Sequence, residues 1–226
     1  MASRNQFTQF TNRLFASALL CIVLCALTVP SQVFAKADAI PTLNEFIETV
    51  KDGNADTLRG VYVANVMAFP ILQQPYGKPG FVSSTDNVTT QFSMASEVGN
   101  IGLLAHNHLA GLSFADVKIN DQIILVYGDG HLESFLVESI QQYQALSPLS
   151  PYSQFKDLDT ESIVTAEDLF RKVYRGDYHL TLQTCIDNEG NSSWGRLFII
   201  AKPVGSKAFN MLEEKPFGTS PSYASK

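Results

Sequence analysis

The sequence predicts a mainly β protein, a closed barrel with a few short helices. Three observations carry this. Short apolar runs rich in β-branched and aromatic residues recur from Gly60 to Val204, separated by turn residues. Helical periodicity is confined to two brief stretches, so no βαβ alternation supports a doubly wound sheet. The strands are irregularly spaced and show no internal repeat, which together with the missing alternation favours a closed barrel over a doubly wound sheet.

In chain order, residues 1–35 read as an export leader. Arg4 and Arg13 precede an apolar stretch from Leu14 to Val29, Pro30 breaks it, and Val33-Phe34-Ala35 supplies small cleavage-site residues. The stretch falls short of the roughly 20 apolar residues of a bilayer span, so cleavage near Ala35 is favoured over an uncleaved anchor. Residues 36–59 hold an N-terminal helix, because Leu43, Phe46, Ile47 and Val50 recur at helical spacing. Residues 60–204 form the barrel. Val61 to Phe69 is one apolar run, and Pro70 to Gly80 is a loop with turns. Ser83 to Ser96 is a polar loop with room for a strand, and Ile101 to Ala105 is a short buried strand.

Gln122 to Tyr127 and His131 to Ile140 flank Gly128-Asp129-Gly130 as a hairpin. Leu146 to Phe155, with Pro148 and Pro151, is a connector. Thr165-Ala166-Glu167-Asp168 starts a helix with stripe residues Leu169, Phe170 and Val173. His179–Cys185 and Trp194–Lys202 are closing strands, and residues 205–226 are a loose tail.

Removal of the leader takes away Arg4 and Arg13 and no acid, moving the formal charge from −6 to −8. That balance, with no Lys/Arg cluster, excludes a nucleic-acid partner. No metal-ligand spacing, phosphate-binding glycine loop or nucleotide fingerprint is present, so neither a metal nor another cofactor is expected, and a calcium site is not readable. Two glycosylation triplets begin at Asn87 and Asn191.

Of three cysteines, Cys21 and Cys25 fall in the leader, leaving Cys185 as the lone thiol of the exported chain. Alternation puts Leu180, Leu182 and Thr184 on one face of its strand and Thr181, Gln183 and Cys185 on the other, a polar setting for an inert core thiol. If the closing strands form a hairpin centred on Gly190-Asn191, Arg196 lies opposite Cys185. A guanidinium there would stabilise a thiolate or a developing oxyanion. A thiol nucleophile also needs a base. His131 is a turn residue, and His179 lies roughly 20 Å along the strand from the cysteine. His106 and His108 sit where the buried strand opens into a loop, a common place for catalytic groups.

Leu180-Thr181-Leu182-Gln183-Thr184-Cys185, followed by Trp194-Gly195-Arg196-Leu197-Phe198-Ile199-Ile200-Ala201, resembles the sortase signature: a Thr-Leu-x-Thr-Cys strand, a loop, and an Arg-bearing strand ending in an apolar run. Leu104-Ala105-His106, with Phe114 beyond, is similar to the sortase histidine segment. The resemblance spans Gly60 to Val204. It implies an eight-stranded barrel and an extracytoplasmic cysteine transpeptidase, secreted or held at a bacterial-type cell surface. Membrane contact would come only through an uncleaved leader.

By the same resemblance Cys185 is the nucleophile, Arg196 the catalytic arginine and His106 the histidine, with His108 as the alternative imidazole. Ala105, Thr184 and Trp194 fall on the substrate side. The implied partners are a protein bearing a sorting signal and an amine acceptor such as a cell-wall precursor or a pilin lysine. Three departures stand out: Ala105 replaces the usual glycine, Tyr143 to Arg175 is long and contains prolines, and Gln73 to Ser84 has no counterpart. The Ser-His-Gly-Cys segment of L,D-transpeptidases is absent, and no histidine follows Cys185 as papain-like order requires. The non-enzyme reading is a secreted barrel that binds partners without turnover.

Overall fold

The computed structural model describes residues 40–205, so the leader and all but the first residue of the expected tail lie outside the described residues. Helix α1 (Leu43–Val50) starts at a capping box. Thr42 Oγ1 accepts the Glu45 N–H while Glu45 Oε2 accepts the Thr42 N–H. Its buried Phe46 lies over Gly60, where any Cβ would fall 2.6 Å from the Phe46 ring. This seats the helix on strand β1.

The strands are β1 (Leu58–Val63), β2 (Met67–Gln73), β3 (Thr89–Gln91), β4 (Ile101–Leu104), β5 (Gln122–Tyr127), β6 (Leu132–Ala145), β7 (Phe155–Asp157), β8 (Ile163–Val164), β9 (Leu180–Asn188) and β10 (Asn191–Pro203). They join in the order β10-β9-β4-β3-β2-β1-β5-β6-β7-β8, and β10 also pairs with β6. That last pairing closes an eight-stranded barrel from β10 round to β6, with the β7–β8 hairpin as an extension of β6. The barrel is mixed: β2–β3 and β4–β9 are parallel, and the other pairs are antiparallel. Closure leaves neither edge of the eight exposed.

Inside the barrel, Val61, Leu103, Leu125, Phe135, Leu182 and Ile199 form one apolar core. The 3₁₀ segment Ala110–Asp116 drives Phe114, fully buried, into the same core. A second apolar cluster lies on the outer face of β6 and β10, under helix α3 (Ala166–Tyr174). Thr165 caps this helix by accepting the Asp168 N–H at 3.1 Å, as its sequence predicts. Leu169, Val173 and Tyr174 are the buried stripe, while Arg171 pairs with Glu167 on the solvent side. Gly102 in β4 is required by this packing, since a Cβ there would meet the Tyr174 ring at 3.0 Å and the Ala95 methyl at 2.9 Å. Residues Ser93–Glu97 form the short helix α2 beside it.

The outline of the sequence reading holds, with three revisions. Val61 to Phe69 is not one run, because Asn65 adopts a left-handed conformation (φ 61°) and turns β1 back into β2. β2 continues through Pro70 to Gln73 instead of giving way to a loop. Pro70 is exposed, and β3 begins its pairing only at Ile71, so the missing N–H breaks no bond to β3. The β9–β10 turn falls on Glu189-Gly190 (φ 52° and 81°), one residue earlier than expected.

Asp157 ties the outer hairpin to α3. Its Oδ1 accepts the N–H groups of Asp159 and Thr160 at 3.0 Å each, and Lys172 Nζ lies 3.2 Å from Oδ2. Burial opposes the charge, but the Thr160 and Asp159 N–H groups and the Lys172 ammonium outweigh it and hold the carboxyl at about 2. A folded-state value below the ordinary one of about 3.9 stabilises the protein above that pH, and the stabilisation is lost as pH falls towards 2. Asp157→Asn should therefore lower Tm at neutral pH and flatten the acid dependence of Tm between pH 5 and 2. Parallel curves for the variant and the wild type would contradict this.

Candidate active site

The closing hairpin supplies two of the three candidate side chains. Antiparallel pairing sets Arg196 directly opposite Cys185, with Leu197 opposite Thr184 and Phe198 opposite Gln183. The turn starts a residue early, yet a register shift between Asn191 and Gly195 restores the alignment. Leu182, Leu197 and Ile199 point into the core, so alternation turns Gln183, Cys185, Arg196 and Phe198 outward. Cys185 is half-buried and free.

Arg196 is held in place by its own strand. Nη1 donates to the carbonyls of Gly195 (2.8 Å) and Ser193 (3.0 Å), and the guanidinium lies 6.0 Å from the centre of the Phe155 ring. Among the described residues no carboxylate lies within ion-pair distance of it. The charge is therefore fixed and not neutralised by any carboxylate of the described residues.

The histidine enters from β4. This strand runs parallel to β9 with Leu104 beside Gln183, and the Ala105 N–H continues the ladder to the Gln183 carbonyl at 3.1 Å. The ladder ends there; His106 is the next residue, and the parallel register, extended by one, pairs its position with Cys185. The His106 carbonyl then accepts the N–H groups of Leu109 and Gly111, both at 3.0 Å, and the chain turns into the 3₁₀ segment. The His106 and His108 rings stack with centroids 5.5 Å apart; His106 is half-buried and His108 exposed.

Two contacts absent from the sequence reading hold this segment. Thr184 Oγ1 donates to the Ala105 carbonyl at 2.9 Å, joining the residue before the cysteine to the residue before the histidine. Asn107 Nδ2 donates to the Ser192 carbonyl at 2.9 Å, joining the histidine segment to the arm that carries Arg196. Asn107→Ala removes one exposed hydrogen bond, so Tm should move by no more than about 2–4 °C, the equivalent of about 1 kcal/mol. Turnover should fall about tenfold through looser spacing of imidazole and guanidinium. Unchanged turnover would show that the clamp is dispensable.

Ala105 and Thr184, expected on the substrate side, are both buried and directed towards the interior. They position the backbone on which the site stands. Trp194 is half-buried in the irregular start of β10 and is not part of the cavity wall described next. His179 is buried, its Nδ1 facing the Asp177 carbonyl and its Nε2 the Val173 carbonyl, at the junction of α3 and β9. His131 is exposed, 2.6 Å from Asp129 in its turn. Neither belongs to the cysteine cluster.

Beside the cluster, on the outer barrel face, lies a cavity of about 280 Å³. Gln183, Arg196 and Phe198 make its floor, and Phe155, Leu169 and Phe170 form its walls. Sequence reading missed this cavity because its lining comes from β7, α3, β9 and β10, with Phe92 and Pro151 added from loops. The long stretch from Tyr143 to Arg175 was the available signal, since it supplies the outer wall. Among the described residues no group of His, Cys, Asp and Glu has the arrangement of a metal site. Nor, among them, is any helix long and apolar enough to cross a membrane.

The molecule is thus a closed mixed β-barrel in which a free thiol on β9 is directly opposed by a guanidinium on β10 that has no carboxylate partner among the described residues, with an imidazole segment following the adjacent β4. No protein-family model and no curated protein matches the chain. Solved structures that are similar to it are sortases. The lid mutant of Streptococcus agalactiae sortase C1 aligns at 14% identity and TM-score 0.42, over 70% of this chain and 73% of that one. The lid mutant of Corynebacterium diphtheriae sortase A aligns at 15% and 0.42, over 68% and 74%. Clostridium perfringens sortase C aligns at 11% and 0.40, over 72% and 82%.

Proposed function

We propose that this protein is a sortase-like cysteine transpeptidase that acts outside the cytoplasm. In this reading Cys185, as thiolate, attacks the carbonyl carbon of a peptide bond in a polypeptide sorting signal. Electrons move onto the carbonyl oxygen, where the Arg196 guanidinium stabilises them. Collapse of the tetrahedral adduct expels the amine, which takes a proton from His106 and leaves a thioester on Cys185. An incoming amine, or water, gives its proton to His106 and displaces the thiolate.

The observation that carries the reading is the register. Cys185 and Arg196 are directly opposed on an outward face, with His106 entering along the adjacent parallel strand. An unpaired guanidinium beside a half-buried thiol suits a reaction that develops negative charge on oxygen. The open cavity next to them offers room for an extended segment, whereas a binding module without turnover would give no reason to leave that charge uncompensated.

The test is incubation with a randomised peptide pool and a small amine, with transfer products read by mass. Amide products that carry the amine, formed by wild type and missing with Cys185→Ala, are expected. Equal product with Cys185→Ala would overturn the proposal, and stable peptide binding without any product would favour the binding module.

A further inference from the structure

We infer that Gln183 is a substrate-binding residue whose side-chain amide donates to a backbone carbonyl of an extended polypeptide lying in the cavity beside Cys185. The inference rests on the proposed transpeptidase reading and specifies how its substrate is held. Gln183 stands two residues before the thiol on the same outward face, about 7 Å along the strand, and forms part of the cavity floor. Its carbonyl end is occupied: the hydroxyl of buried Tyr174 donates to Gln183 Oε1 at 2.5 Å. That bond orients the amide and leaves Nε2, with two N–H donors, without a partner among the described hydrogen bonds of a half-buried side chain.

The rest of the lining restricts what those donors can meet. Phe155, Leu169, Phe170 and Phe198 offer no side-chain acceptor, Arg196 is itself a donor, and the Tyr174 hydroxyl, the remaining polar side-chain group of the lining, is already bonded to Gln183 Oε1. The occupant must therefore bring its own acceptors together with apolar surface to cover the aromatic wall. An extended peptide with a large apolar side chain does both: the side chain fills the cavity, and its carbonyls face Gln183 and Arg196. A strongly cationic segment is disfavoured by the uncompensated Arg196 charge.

The competing role for Gln183 is to satisfy the Tyr174 hydroxyl and nothing more. Two substitutions separate the roles. Gln183→Glu keeps an acceptor for Tyr174 and removes both N–H donors; Gln183→Met removes donors and acceptor without adding charge. Using the peptide selected by the randomised pool, kcat/KM should fall about tenfold in both variants, mainly through KM. Alkylation of Cys185 by iodoacetamide, which needs no amide contact, should stay within twofold of wild type.

Wild-type kcat/KM in both variants would overturn the inference. So would a loss confined to Gln183→Met and matched by a lower Tm, which is the signature of the purely structural role. If Cys185→Ala is inactive while both Gln183 variants are fully active, this inference alone fails. If no pool yields product, or Cys185→Ala turns over the peptide, the transpeptidase reading fails and this inference falls with it.

Discussion

Cys185→Ala and Arg196→Ala should each reduce acyl-enzyme formation to background, for different reasons. The cysteine variant lacks the atom that forms the thioester. The arginine variant keeps the thiol and the β9–β10 ladder, but loses the fixed positive charge directly opposite the nucleophile and one side chain of the cavity floor. Removing a single preorganised oxyanion donor costs about 10²–10³ in rate, or about 3–4 kcal/mol. The Arg196 value should reach or exceed that range, because a full charge is lost. Arg196→Lys should recover little. The native guanidinium spends Nη1 on the Ser193 and Gly195 carbonyls and still presents further donors, a fork that an ammonium cannot reproduce. Alkylation of Cys185 by a neutral reagent separates the effects, since Arg196→Ala should remain modifiable. An Arg196→Ala enzyme with wild-type acylation would remove the arginine from the mechanism.

Gly111→Val should lower Tm by about 5–15 °C and depress turnover together. Gly111 does not need a left-handed backbone; it needs space. A Cβ at this position would collide with Thr184 Oγ1 and lie 2.7 Å from the His106 carbonyl oxygen. Both atoms are already committed, Thr184 Oγ1 to the Ala105 carbonyl and the His106 oxygen to the Leu109 and Gly111 N–H groups. Relief requires displacing the hydroxyl, the backbone, or both. Overpacking costs about 1–3 kcal/mol, and the Thr184–Ala105 bond is worth about 1 kcal/mol more. For a domain of this size each kcal/mol corresponds to about 2–4 °C. Gly111→Ala should show the same pair of effects to a smaller degree. Thermal unfolding and acylation rate measured on one preparation check the coupling, and a destabilised but fully active Gly111→Val would break it.

The residues just discussed also mark what could be read from the sequence. The Cys185–Arg196 pair was legible because alternation and hairpin pairing are local rules. It came out right although the turn was placed one residue late, since the irregularity between Asn191 and Gly195 compensates. Helix α3 was legible from its Thr165 cap and apolar stripe. Barrel closure was expected from strand texture, but its route was not readable. The parallel β4–β9 pairing, which runs the strand before His106 alongside the strand that carries Cys185, joins residues about 80 apart, with no local signal. The same holds for Asn107 and Ser192, and for the close approaches at Gly102 and Gly111. A glycine required for space looks, in sequence, like any other glycine. Ala105 and Thr184 are both buried and joined by a hydrogen bond across 79 residues of chain, a placement that their positions in the signature do not reveal.

The most direct measurement is intact-protein mass analysis after brief exposure to the randomised peptide pool, followed by mapping of the adduct. The expected result is an acyl adduct on the peptide containing Cys185, sensitive to hydroxylamine and formed far more slowly by His106→Ala than by His108→Ala. Product formation without any adduct on Cys185, or an adduct formed equally fast when His106 is replaced, would contradict it.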